Sequence, residues 1–402
     1  MQDLIKPLVQ RNNSKIILVV LDGLGGLPVN GRTELEAART PHLDTLARES
    51  ACGLHVPVGY GITPGSGPGH FGLFGYDPVE YQIGRGILEA LGLGLEVKRT
   101  DVAVRCNYAT IGDGVITDRR AGRIPTEISR KLTERLQREL PRVDDAELIF
   151  APGMEHRFAV IMRFREPLMP DAALINDTDP QKEGVAPLEV NALSENAKRV
   201  GKAAEQLIRG AHEILRNEER ANYILTRGFS GMPHIPAFLE TFGLKALAIA
   251  TYPMYRGLAR LVGMDTPVLE GGVEDEITFL AQKYPEYDFF FLHVKKIDSF
   301  GEDGNFEGKV ARIEEFDTLL PGILRMNPDV LVITGDHSTP ARMKGHSWHP
   351  VPLLLKSPYV LGGLSAYFSE RECVKGELGI FPAIHIMPLA LANAGRLKKF
   401  GA

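Results

Sequence analysis

Acids and histidines stand at the ends of short apolar runs in this chain, and their types suit divalent cations. Ile16–Leu21 (IILVVL) leads into Asp22-Gly23, Phe289–Val294 (FFFLHV) is followed shortly by Asp298, and Val330–Gly335 (VLVITG) leads into Asp336-His337. Carboxylate oxygens and imidazole nitrogens together hold hard or borderline metals. Glu302 lies four residues after Asp298, and His346 nine after His337. Taken singly, an Asp-Gly after a strand reads as a turn. Asp336–Pro340 could by itself open a helix, and His346 and His349 in GHSWHP could be surface histidines. Their arrival together at one sheet edge makes a metal cluster the stronger reading.

A second constellation supplies a nucleophile. In GYGITPGSGPGHFGLFGYDP (Gly59–Pro78), Ser66 stands between Gly65 and Gly67, with Pro64 and Pro68 outside them. Glycines let backbone approach a ligand closely, and prolines stiffen the turn. The rest of the segment can open a helix, whose first amides favour an anion. The segment is neither a Walker loop, lacking GxxxxGK[ST], nor a hydrolase elbow, since G-S-G is not G-x-S-x-G. A serine hydroxyl is a poor nucleophile near neutral pH. Without an evident histidine-based triad, a metal ion can hold it as the alkoxide and align it on phosphorus.

The elements that must position these groups are built from the same runs. Ile16–Leu21, Ala246–Ala250, Phe289–Val294 and Val330–Gly335 are apolar on both faces, as in central strands of a mostly parallel sheet covered by helices. Amphipathic stretches alternate with them: one opening at Thr40-Pro41, then Glu127–Leu140, the region around Asn191–Asn217, and Ala311–Leu320. The pattern is α/β. In such sheets ligands gather beyond the carboxyl ends of the strands, where these acids fall. From Val102 to Pro236 the segments are shorter and more polar, with a strand expected at Phe158–Phe164 and an exposed loop from about 170 to Pro187. This stretch reads as a smaller α/β domain inserted into a core made of residues 1–101 and 237–402. Glycines near Gly112–Gly114 and Gly228–Gly231 are candidate hinges.

Composition excludes several classes. With 402 residues, 44% hydrophobic and 24% charged, the chain has ordinary globular make-up and the length for two or three domains. A net charge of −5 leaves no basic surplus for nucleic acid. No apolar run reaches the ~18 residues of a membrane span, and the first residues lack a secretory h-region. Three widely spaced cysteines form no CxxC pair, so a cytoplasmic location is expected.

In order along the chain, LDGLGG (Leu21–Gly26), TPGSGPGHFGLFGYDP (Thr63–Pro78), HVKKIDSFGEDG (His293–Gly304), TGDHSTP (Thr334–Pro340) and HSWHPVPLL (His346–Leu354) form a set that resembles archaeal-type cofactor-independent phosphoglycerate mutases of the alkaline phosphatase superfamily. The resemblance runs over nearly the whole chain. It implies an alkaline-phosphatase-like core capped by the inserted domain, with two divalent metals, manganese foremost and Mg2+, Co2+ or Zn2+ as alternatives. Asp22, Ser66, Asp336 and His337 would hold one metal; Asp298, Glu302 and His346 would hold the other. Glu302 stands where such relatives usually carry histidine, which adds negative charge and favours oxygen-loving metals. Ser66 would take the phosphoryl group of 3-phosphoglycerate and return it to the 2-hydroxyl, with no need of 2,3-bisphosphoglycerate. The expected partner is thus a small phosphorylated acid, without nucleic acid or membrane, and a homo-oligomer is allowed.

Such a substrate carries about three negative charges, and arginine's planar fork suits carboxylate and phosphate alike. Arg119, Arg120 and Arg123 in TDRRAGR are the first candidates, and the resemblance favours this stretch. His156 and Arg157, before the Phe158–Phe164 run, and Arg256, after the ALAIA run, complete the set. The rival readings on the same core are a metal-dependent phosphomonoesterase and a homoserine kinase-like phosphotransferase. A catalytically dead scaffold is the third, and retention of every other expected ligand argues against it.

Overall fold

A computed structural model describes residues 2–401 of the protein. In chain order the strands are β1 (Ile16–Leu21), β2 (Ala51–Val56), β3 (Asp101–Gly112) and β4 (Val115–Asp118). They continue with β5 (Arg142–Val143), β6 (Ala146–Pro152), β7 (Arg157–Arg163), β8 (Tyr223–Gly231) and β9 (Ala246–Ile249). The last are β10 (Phe289–Val294), β11 (Val330–Thr334), β12 (Val351–Lys356) and β13 (Gly379–Pro382). Two compact units emerge: residues up to Gln82 together with those from Ile235 onward, and residues Ile83–His234.

The first unit is built on a seven-stranded sheet in the order β13-β2-β12-β11-β1-β10-β9. Strand β1 lies parallel between β10 and β11, and every residue of these three strands is buried. Burial on both faces is why these runs show no alternation of polar and apolar residues. The sheet is mostly parallel, as expected, with β12 the exception: it runs antiparallel to both β11 and β2. Helices Pro41–Arg48, Val273–Lys283 and Phe306–Leu324 bury Leu43, Leu46, Ile277, Leu280, Ile313, Phe316 and Leu320 against Ile17, Val19 and Leu21. Register decides the chemistry. Val20 pairs with His293 on one side and Thr334 on the other, so the chain leaves the sheet at Asp22, Lys295 and Asp336 along a single edge.

The second unit holds an antiparallel sheet, β4-β3-β7-β6-β5, with β8 also paired to β3. Helices Thr126–Glu139 and Lys198–Leu215 bury Leu132, Leu136, Val200, Ala204, Leu207 and Ala211 against Val104, Phe158, Val160 and Met162. The unit begins at Ile83 rather than at Val102. Helix Arg85–Gly92 lies so close on β3 that a Cβ at Gly86 would come within 2.1 Å of the Ala103 carbonyl. The candidate hinges are not at the crossings between units. Gly112–Gly114 forms the β3–β4 turn and Gly228–Gly231 ends β8, both inside the second unit. Among the described residues no helix is long and apolar enough to cross a membrane.

Candidate active site

The turn after β1 and the turn after β11 bring three ligating atoms together. His337 Nε2 lies 3.4 Å from Asp22 Oδ1 and 3.2 Å from Asp336 Oδ2. All three residues are fully buried, and among the described residues none of these three atoms has a hydrogen-bond partner. Orphaned polar atoms cost about 1–3 kcal/mol each when buried, so three such atoms converging on one point fit a cation-binding arrangement. Two carboxylates and an imidazole are a donor set for a borderline divalent metal. Burial pushes the His337 imidazole well below its ordinary value and so keeps it neutral, the form that ligates. Burial alone would raise Asp22, but the hydrogen bond and charge of His293, with Lys295 and His337, hold it well below the usual carboxylate range. Asp336 is pushed the other way, by burial and by the charge of Asp22.

A second group forms on the helix after β10. Asp298, His337 and His346 each offer a ligand atom, all within 4.8 Å of one another. The histidine tautomers are set by their outer nitrogens. His346 Nδ1 donates to the Pro64 carbonyl at 2.9 Å, which turns its Nε2 toward Asp298, 3.7 Å away. Thr339 donates from Oγ1 to Asp298 Oδ1 at 2.8 Å and so accepts from His337 Nδ1 at 2.9 Å, freeing His337 Nε2 for the first group. Such outer partners fix ring orientation at metal sites. Glu302 stands apart from this compact group. Its Oε1 is 3.8 Å from His346 Nε2 and its side chain is half exposed.

Ser66 is the first residue of helix Ser66–Leu73, capped by extended Gly65. Packing brings this helix against the metal-type acids: a Cβ at Gly69 would meet the Asp336 carbonyl at 2.4 Å, so only glycine allows the approach. His70 Nδ1 donates to the Ser66 carbonyl at 2.8 Å and lies 3.3 Å from Asp336 Oδ2. Burial and the charge of His293 lower its imidazole to about 3, so it is neutral.

Four residues around this centre carry no sequence expectation. The Lys295 ammonium donates to Asp22 Oδ2 and Asp298 Oδ2, 2.9 Å from each, and so joins the two groups. Burial would lower its pKa, but the two carboxylates raise it. The Tyr255 hydroxyl donates to Asp22 Oδ2 at 2.7 Å, and its ring stacks on His293 at 3.7 Å. Thr339 is the fourth. His293 and Lys295 lie inside the HVKKID segment and Thr339 inside TGDHSTP, though no role was expected of any of them, and Tyr255 lies in none of the quoted segments.

The second unit gathers a cluster of cationic side chains around a cavity. A cavity of about 310 Å³ is lined by Arg120, Arg123, His156 and Arg157, and also by Arg105, Asn107, Arg119, Glu155 and Arg227. The DRRAGR segment reaches it through a tight turn in which Asp118 accepts from the amides of Arg120 and Gly122, and Ala121, Gly122 and Arg123 all take positive φ near 50–63°. Arg119 is committed elsewhere, in a two-pronged pair with buried Asp179 at 2.8 and 2.7 Å. Among the described residues, no carboxylate pairs with Arg120, Arg123 or Arg157. Burial and neighbouring Arg157 lower His156 to about 4. Arg256 is not among the residues that line this cavity. It lies in the first unit, where Nη1 donates to the carbonyls of Ala250 and Thr251.

Comparison with known proteins places this geometry in a family. The family model described as 2,3-bisphosphoglycerate-independent phosphoglycerate mutase matches residues 47–221. A protein of Aquifex aeolicus, named "Probable 2,3-bisphosphoglycerate-independent phosphoglycerate mutase", is 61% identical over 406 residues, covering 100% of both chains. One of the same name from Thermotoga neapolitana is 54% identical, over 100% of this chain and 99% of its own. Among solved structures, a cofactor-independent phosphoglycerate mutase from Thermoplasma acidophilum superposes with a TM-score of 0.75 at 29% identity, over 95% of this chain and 100% of its own. The chain belongs to the 2,3-bisphosphoglycerate-independent phosphoglycerate mutase family.

Proposed function

We propose that the protein interconverts 3-phosphoglycerate and 2-phosphoglycerate through a phosphoserine at Ser66, with two divalent metals. The observation that carries this reading is the convergence of Asp22 Oδ1, Asp336 Oδ2 and His337 Nε2, buried and without partners, beside the helix that starts at Ser66. Asp22, Asp336, His337 and Ser66 would hold one cation, and Asp298 and His346, with Glu302 reaching in from its half-exposed place, the other. When bound, such cations supply Lewis-acid charge for an ionised serine and for the oxygens of a phosphoryl group. The chain's own residues do the rest. Ser66 Oγ gives up its proton and bonds to phosphorus as the bond from phosphorus to the 3-oxygen breaks, and the released 3-oxygen takes up a proton in exchange for the one lost by the serine. The 2-hydroxyl then gives up its proton and attacks the phosphoserine, and Ser66 is restored. Lys295, already shared by Asp22 and Asp298, adds a fixed positive charge near the transferring group. Arg120, Arg123 and Arg157, free of carboxylate partners, suit the carboxylate and phosphate of the acid, with His156 neutral beside them.

Phosphorus NMR tests the reading directly. Manganese-loaded protein is incubated with 3-phosphoglycerate, without 2,3-bisphosphoglycerate, beside a Ser66→Ala control. Formation of 2-phosphoglycerate, abolished in the control, is the expected result. Release of inorganic phosphate alone would make the protein a phosphomonoesterase instead.

A further inference from the structure

Behind the two metal-type groups lies a lysine that the proposed phosphoryl transfer does not use. Lys309, on helix Phe306–Leu324, is wholly buried. Its ammonium donates to three backbone carbonyls: Gly23 at 2.8 Å, Gly25 at 3.0 Å and Thr339 at 2.9 Å. The nearest carboxylate oxygen, Glu34 Oε1, is 4.0 Å away and accepts from the Ala341 amide. Glu370, also close by, accepts from the Gly26 amide and the Thr33 hydroxyl. Burying a full charge is costly, and an apolar side chain of the same length would fill the space at lower cost. The identity of the three carbonyls explains why a charge is there.

Gly23 and Gly25 belong to the turn that carries Asp22. Thr339 belongs to the turn that carries Asp336 and His337, and its hydroxyl is the one that faces both His337 Nδ1 and Asp298 Oδ1. The two turns are packed to contact. A Cβ at Gly23, which has φ +68°, would meet Thr339 Oγ1 at 2.7 Å and Asp298 Oδ1 at 2.8 Å. Backbone bridges from Leu24 and Gly25 to Ser338, the Thr339 amide on the Gly25 carbonyl at 3.1 Å and the Gly23 amide on Asp336 Oδ1 at 3.1 Å join the turns, and Lys309 adds bonds to both. One ammonium with three donors in different directions is the side chain that can hold three carbonyls from two turns at once.

We propose that Lys309 is a positioning residue for the phosphoryl-transfer centre. It clamps the turn after β1 to the turn after β11, and through Thr339 it sets how His337 and Asp298 face their cations. This rests on the metal-dependent reading of the site. The role is separate from substrate capture, because the Lys309 ammonium is wholly buried and spends its donors on three backbone carbonyls of the first unit.

The test uses Lys309→Met, which keeps length and removes the donors, and the double variant Lys309→Met with Glu34→Gln, which leaves no unpaired carboxylate at the gap. Each is checked for folding by circular dichroism at low temperature, then titrated with Mn2+ by calorimetry, and kcat and KM are measured separately with 3-phosphoglycerate. The expected result is folded protein whose Mn2+ affinity and kcat each fall at least about tenfold, the usual scale for losing an outer partner of a metal ligand, while KM stays within about twofold. A folded variant with wild-type Mn2+ affinity and kcat would overturn the assignment. Failure of both variants to fold would also overturn it, making Lys309 a lysine of general stability. If wild-type protein binds Mn2+ but does not convert 3-phosphoglycerate, the functional reading fails by itself, and Mn2+ affinity still judges Lys309.

Discussion

Replacing Glu276 with glutamine should make the first unit more stable at pH 8 and change it little at pH 5. Glu276 stands in the first turn of helix Val273–Lys283, 3% exposed, and Oε1 accepts the Thr251 amide at 3.0 Å. Burial raises its carboxyl from 4.5 to about 7, against the lowering effect of the Thr251 bonds. The unfolded chain therefore gives up this proton near pH 4.5 while the folded chain keeps it until about pH 7. Between those values the folded state binds more protons, so stability falls as pH rises, and the loss is complete above about pH 7. At 1.36 kcal/mol per pH unit, the gap from 4.5 to about 7 amounts to about 3 kcal/mol. Glutamine keeps the acceptor for Thr251 and never ionises, so Glu276→Gln should recover most of that figure above pH 7. For a unit of this size a gain of about 3 kcal/mol corresponds to roughly 6–12 °C in melting temperature. Differential scanning calorimetry of the metal-free chain at pH 5 and pH 8 reads the difference. Equal shifts at the two pH values would show that Glu276 does not stay protonated through folding, and the reasoning would fail.

Glu302→Ala should lower the manganese held per chain toward one equivalent, whereas Glu302→His should keep two and move preference toward zinc; plasma mass spectrometry of dialysed protein gives both numbers, and unchanged content in the alanine variant would remove Glu302 from the site. Arg123→Ala and Arg157→Ala should each raise KM for 3-phosphoglycerate by about tenfold or more, as expected when a charge-assisted contact worth about 1.5–3 kcal/mol is lost. Mn2+ affinity in those two variants should match wild type, and a fall in metal affinity would argue against a pure substrate role. Asp179 is held below the usual carboxylate value by Arg119 and the Gln181 amide, which outweigh burial. Its contribution to stability is therefore present above pH 4 and lost as pH falls through its lowered folded value. Asp179→Asn should be less stable than wild type at pH 7, with the gap closing in acid-unfolding curves as pH falls through the lowered folded value; a gap that persists in full acid would mean shape, not charge, is what Asp179 provides.

Residues that sequence could place were those whose signal is local. Asp22, Asp298 and Asp336 each come after an apolar run, and parallel strands deliver such residues to one edge whatever the helices do. Ser66 was legible because glycine crowding has few other causes. Arg120 and Arg123 were legible as a pair in one segment, but Arg105 and Arg227 were not, since β3 and β8 bring them in from opposite ends of the second unit. Thr339 and Lys309 left no trace because their partners lie up to 286 residues away and are mostly backbone carbonyls, which every residue carries. β2 was missed for another reason. ACGLHV mixes small, polar and apolar residues, and it becomes a strand only when β12 and β13 flank it. Helix Arg85–Gly92 escaped the second unit's expected boundary because its attachment to β3 runs through Gly86, a contact made by the absence of a side chain.

The pairing of β1 with β10 and β11 also sets a timetable. Every strand of the second unit lies between Asp101 and Gly231, so that sheet can close while the ribosome is still making the rest of the chain. β1 emerges early as IILVVL but cannot pair until Phe289 and Val330 have been made. At about 5–20 residues per second that is on the order of tens of seconds, during which an uncharged, β-prone hexapeptide stands unpaired. The inserted unit is thus the first whose strands are all made, and the strand that carries Asp22, though made early, is among the last to find its partners.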